Sequence, residues 1–217
     1  MRNAAKWIGT FGLMFVLGSS AAGQEPAAEP AGDSAATPAS QPSDDIDPAQ
    51  VKTMKPAAIP DDFVTHKGPD GEFSIKSPPS WKETPASQAS GAMVLKSDTP
   101  GASVNVVVVP SPPGEKLKAA MESVPGQLEK QFKGFKLIDS DYVLYCGRPS
   151  GRVVYEVAIG NGQRVRIMQI FVIRGSKDYV VTFAAPANKY DDAYKAAEPV
   201  IASFDLAGPE PTSRPAR

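Results

Sequence analysis

The stretch Tyr155-Glu156-Val157-Ala158-Ile159-Gly160-Asn161-Gly162-Gln163-Arg164-Val165-Arg166-Ile167 decides the fold. Glycine and asparagine tolerate the positive φ that a tight chain reversal demands, so Gly160-Asn161-Gly162 reads as the loop of a hairpin. With all three residues in the loop, Glu156 stands opposite Arg166 on one face. Val157 then faces Val165, and Tyr155 faces Ile167, on the other. A two-residue loop would set Glu156 beside Ile167 and mix the faces, so the longer loop is expected.

Strands extend outward from this hairpin over Arg152 to Ile159 and Gln163 to Arg174, with Phe135 to Tyr145 before them and Tyr179 to Ala184 after. Antiparallel connections are the natural ones. Further upstream, Gly71 to Ser77 alternates Phe73 and Ile75 with polar residues and stops at Pro78-Pro79. Ala92 to Lys96 is a second short strand. Ala102 to Val109 carries Val104 and Val106 to Val109, a nearly continuous β-branched run expected to lie inside the sheet with both faces covered.

Two helices complete the pattern. Glu115 to Phe132 places Leu117, Ala120, Met121, Val124, Leu128 and Phe132 at three- and four-residue steps, and Pro125 is expected to kink or split it. Tyr190 to Phe204 repeats the spacing with Ala193, Tyr194, Ala197, Val200 and Ile201. Asp191 and Asp192 suit its positive N-terminal end, while Pro199 should interrupt it. The expected fold class is α+β, an antiparallel β-sheet flanked by helices as an α/β/α sandwich.

The flanks read differently. Residues 1–23 have the build of an export signal: Arg2 and Lys6, an apolar run from Trp7 to Leu17, then small residues to Gly23. The run is too short for a permanent membrane span. Residues 24–60 are rich in Ala, Pro, Glu, Ser and Asp and are expected to form a disordered spacer, because they offer too little apolar surface to offset chain entropy. One domain is expected over 61–206, followed by a disordered tail, 207–217. Formal charge is −1, and loss of Arg2 and Lys6 makes it more negative, which argues against generic nucleic-acid binding. Cys146 is the single cysteine, so no intramolecular disulfide can form.

Four stretches carry a family likeness: Gly71-Glu72-Phe73-Ser74-Ile75 leading to Pro78-Pro79-Ser80-Trp81, then Val104-Asn105-Val106, then Tyr179-Val180-Val181-Thr182-Phe183 with Pro186 and Tyr190, and finally Ile201-Ala202-Ser203-Phe204. With these the chain resembles the PsbP-like superfamily, the PsbP, DcrB and LpqN type of domain. The resemblance implies an antiparallel sheet flanked by helices in proteins that mostly act as accessory or partner-binding modules. It brings no metal ligand and no catalytic residue to a defined position here.

Candidate chemistry is sparse. His66, the single histidine, would have to be the base of any serine or cysteine hydrolase. It lies just before the first strand with no nucleophile motif in view. Cys146 follows Tyr142 and Leu144 in alternation and is expected to pack as a small apolar residue, as is Trp81 as a core plug. The acidic groups Asp44-Asp45-Asp47, Asp61-Asp62, Asp139-Asp141 and Asp191-Asp192 lack calcium-loop spacing, and no cofactor is indicated. Asp139 and Asp141 share a strand face, but no aromatic cleft pattern for glycoside hydrolysis accompanies them. Arg164 and Arg166 share one face, with Arg152 and Arg174 near the far end, a basic stripe that could meet an anionic ligand or partner. The expected function is an exported, non-enzymatic binding or accessory module of the cell envelope, engaging another protein. The alternatives are a small-ligand carrier with a pocket between sheet and helix, and a hydrolase using His66.

Overall fold

The computed structural model describes residues 46–54, 57–68, 71–85, 93–111, 115–160 and 162–208. The expected export signal, the spacer as far as residue 45 and the tail from 209 lie outside these residues. In chain order the elements are β1 (Val51–Thr53), β2 (Val64–Lys67), β3 (Phe73–Ser77), β4 (Lys82–Pro85), β5 (Met93–Lys96), β6 (Ser103–Pro110), α1 (Leu117–Gln131), β7 (Lys136–Tyr145), β8 (Arg148–Ile159), β9 (Gln163–Arg174), β10 (Lys177–Pro186), α2 (Tyr190–Ala202) and β11 (Asp205–Leu206).

Strands β1-β7-β8-β9-β10-β6-β5-β4 form an eight-stranded sheet in that order, and β11-β3-β2 form a three-stranded one. The hairpin register is the one that side-chain matching requires, with Tyr155 opposite Ile167, Glu156 opposite Arg166 and Val157 opposite Val165. Strand β6 lies between β10 and β5, inside the sheet. The fold is α+β, with one correction to the expected antiparallel pairing. Val51 to Thr53 pair in parallel with Tyr142 to Leu144. Residues 46–54 therefore leave the expected spacer, because Ile46 and Val51 bring apolar side chains to the core there and Lys52 binds Asp141.

Alternation along the central strands feeds two cores. Met168, Ile170 and Val172 join Val181, Phe183 and α2 residues Ala193, Ala197 and Ile201, together with Phe73 and Ile75 of the small sheet. Ile167 and Ile173 point the other way and join Tyr155, Val157 and α1 residues Leu117, Met121 and Leu128. Burying each such aliphatic or aromatic side chain contributes about 1.5–3 kcal/mol. The helix layer beside α2 is thus shared with strands β11, β3 and β2.

Neither proline breaks its helix: α1 continues through Pro125 and α2 through Pro199. The buried stripe on each helix, Met121 with Val124 and Leu128, or Ala197 with Val200 and Ile201, offsets the hydrogen bond that proline cannot donate. Trp81 is buried in the larger core, as a plug would be. The tail is pinned at its start: Ala207 N–H donates to Glu72 at 2.8 Å, and Arg174 donates to the carbonyls of Ala207 and Gly208. Among the described residues no helix is long and apolar enough to cross a membrane.

Candidate functional site

Helix α1 covers only part of its face of the large sheet. It packs over β7 and β8, and beside it the same face of β9, β10, β6 and β5 opens into a cleft of about 800 Å³. Val94, Val107, Val109, Val180 and Ile167 supply apolar lining. The expectation that the Val106 to Val109 run is covered on both faces holds for Val106 and Val107, which are buried, and fails towards Val109, which is half-buried. Val106 enters the core beneath α2, whereas Val107 and Val109 line the cleft, Val107 nearly buried at its floor and Val109 more open.

Polar side chains cross this apolar floor in register. Gln169 pairs across the strands with Thr182, and Thr182 with Asn105. Tyr155 Oη donates to Gln169 Oε1 at 3.3 Å, and Gln169 Nε2 donates to Thr182 Oγ1 at 3.4 Å. Gln169 is 2% exposed, so its amide is satisfied inside the protein rather than by solvent. Burial pushes the Tyr155 phenol well above its ordinary range, which keeps it a neutral donor. Asn105 Oδ1 is buried with no hydrogen-bond partner. A cleft of this size with a few placed polar groups has the build of a small-molecule site.

The four arginines do not form a free basic stripe. Arg164 Nε and Arg166 Nε each donate to Glu156 at 3.0 Å, and Arg166 also stands over the Tyr190 ring at 5.0 Å. Arg152 binds Asp139 at 3.1 Å and Asp141 at 2.7 Å. Arg174 holds the chain after β11. Burial alone would raise the Glu156 carboxyl, but the hydrogen bonds from Arg166 and Arg164 outweigh it and hold the group below its usual range. Asp141 is lowered in the same way, with Arg152 and Lys52 overcoming burial. Asp139 and Asp141 therefore serve as counter-charges, both to Arg152 and Asp141 also to Lys52.

His66 lies inside β2 rather than ahead of the first strand, because Thr65 and His66 pair with Lys76 and Ile75. Its Nδ1 is 2.9 Å from Glu83 Oε2 and its Nε2 is 2.9 Å from Ser77 Oγ. A Ser-His-carboxylate chain thus exists where no sequence motif announced one; Ser77 and Glu83 come from separate strands. Ser77 has no exposed surface, and its hydroxyl also reaches the Pro78 carbonyl at 3.3 Å.

Cys146 does not continue the alternation of Tyr142 and Leu144. Strand β7 ends at Tyr145, and Cys146 turns the chain with φ 51°. Its Sγ donates to the Phe204 carbonyl at 3.1 Å, and burial, helped by Asp205, pushes the thiol up to about 12. Asp47 caps a short turn by accepting from Ala49 N–H at 2.9 Å, while Asp191 and Asp192 occupy the first turn of α2.

No family profile and no curated protein matches the sequence. Among solved structures, the chain is similar to cyanobacterial PsbP (CyanoP) from Synechocystis sp. PCC 6803, with 14% identity and a TM-score of 0.50 over 67% of this chain and 92% of that one. It is also similar to PA94 from Pseudomonas aeruginosa, a protein of unknown function and putative regulator, with 18% identity and a TM-score of 0.45 over 69% and 99% of the two chains. LpqN of Mycobacterium tuberculosis, involved in cell envelope biogenesis, shows 15% identity and a TM-score of 0.45 over 63% and 83%. The likeness to CyanoP is one of fold, and the fold is PsbP-like.

Proposed function

We propose that this chain is an exported, non-catalytic binding module that carries a small apolar ligand in the cleft between α1 and the open half of the large sheet. The observation that supports this most directly is the cleft itself, where Val94 and Val109 keep part of their surface accessible beside the nearly buried Val107 and Val180. Apolar surface in contact with water is costly, and a ligand that removes it from water gains that free energy. A non-catalytic role is favoured because Ser77, the hydroxyl that His66 could activate, is sealed from any substrate.

The reporter N-phenylnaphthylamine, which fluoresces in apolar surroundings, should bind saturably to the full chain. Val109→Trp fills the cleft and should abolish that signal while the far-ultraviolet dichroism stays unchanged. Absence of saturable uptake by the parent protein would sink the reading.

A second reading, an accessory module that engages another envelope protein, draws on a different observation. Leu137, Ile138 and Leu144 on β7 are each 42% exposed, and β1 covers only part of that edge. Crosslinking the tagged protein in envelope and culture-medium fractions should then capture a specific partner that Ile138→Lys loses.

A further inference from the structure

The hydrogen bonds across the cleft floor all run one way. Tyr155 donates to Gln169, and Gln169 donates to Thr182. The series then stops. Among the described residues the Thr182 hydroxyl proton has no acceptor, and the neighbouring Asn105 carboxamide makes no hydrogen bond, its Oδ1 being buried without a partner. Both residues border the cleft and are only partly buried. The end of the ladder thus offers one donor and one amide beside it. Turning that amide about its soft terminal torsion presents either its oxygen or its nitrogen to the open space.

Resting on the carrier reading, we infer that the cleft selects apolar molecules bearing one neutral group that both donates and accepts a hydrogen bond, a hydroxyl or an amide, seated between Thr182 and Asn105. Such a group accepts from the Thr182 hydroxyl and donates to the Asn105 oxygen once the amide has turned that oxygen towards the cleft. An ether of the same skeleton can only accept, so it leaves the Asn105 oxygen unpaired. A carboxylate can only accept and also carries charge onto an apolar floor, where desolvation opposes it. Discrimination of this kind arises because a site built for a hydroxyl keeps its buried polar groups unpaired when the hydroxyl is missing.

Displacement of N-phenylnaphthylamine from the full chain tests this with dodecanol, dodecanamide, dodecyl methyl ether and dodecanoate. Dodecanol and dodecanamide should displace the reporter at concentrations about tenfold below the ether, the effect of one well-placed hydrogen bond. Asn105→Leu and Thr182→Val keep the volume and remove the polar atoms; each should erase the preference, read as the ratio of alcohol to ether displacement within that variant. Reporter binding with equal displacement by alcohol and ether in the parent protein would overturn the ligand class and leave the carrier reading standing. A preference that survives both substitutions would overturn the placement. Failure of the reporter to bind at all would overturn carrier and ligand class together.

Discussion

Ser77 Oγ lies 2.9 Å from His66 Nε2, yet the serine itself has no exposed surface. The pair resembles a nucleophile and its base in distance alone. Its consequence is mechanical: through Glu83 on β4 and Ser77 on β3, the imidazole fastens the small sheet to the edge of the large one. Replacing His66 with Ala should lower unfolding free energy by about 1–3 kcal/mol, the cost of leaving buried polar atoms without partners. Denaturant titration measures this. A serine-directed phosphonate should leave Ser77 unmodified in the native protein, and a covalent adduct there would restore the hydrolase.

Glu156 is nearly buried between Arg164 and Arg166, and its carboxyl sits below the usual glutamate range. A lowered carboxyl contributes stability above its unfolded-state value and loses it as pH falls through the folded one. Glu156→Gln should therefore cost about 1–2 kcal/mol at neutral pH, and the gap from the parent should close in acid. Thermal unfolding across an acid series gives the result; a gap independent of pH would contradict it.

Asp178 behaves in the opposite sense. Burial pushes its carboxyl up to about 6, a hydrogen bond from Ser111 pulls the other way, and Glu115 raises it further. The folded state then holds a proton that the unfolded chain has released, so stability falls as pH rises from about 4 towards 6. Asp178→Asn should raise the unfolding midpoint at neutral pH by a few degrees and flatten this slope. An unchanged slope would show that Asp178 is not its source.

How much of this could be read from the chain follows from the range of each interaction. Local signals suffice for the hairpin, since the length of the loop from Gly160 to Gly162 alone fixes which side chains meet. Helical spacing locates α1 and α2 to within two residues at each end, whereas the breaks it suggests at Pro125 and Pro199 do not occur, because burial of the opposite face is not a local property. The short strands β1, β2, β4 and β11 are not legible in the sequence: two to four residues carry no resolvable period, and β1 and β11 pair with strands distant in sequence. The same distance hid Glu83 and Ser77 from His66. The cleft leaves one trace, a β-branched run apolar on both faces, and only the structure shows that the cover thins towards Val109. The arginines read as a group in the sequence, whereas Asp139 and Asp141, the counter-charges of Arg152 alone, belong to a different strand.

The pairing of β6 with β10 has a kinetic side. Strands β7 to β10 follow one another through tight turns, so this meander can form from contacts close in sequence. Val106 must instead find Val181 across the whole of α1 and the meander. Pairings of that span are slow because loop closure precedes the contacts that reward it. During that delay the valines of β6 are exposed as a β-prone apolar segment, the kind that seeds self-association between chains. Asn105 sits within this run and divides Val104 from Val106. The residue that leaves the native cleft with an unpaired amide therefore also acts as a gatekeeper for the unfinished chain, and replacing it with leucine would exchange a more comfortable native state for a stickier path to it.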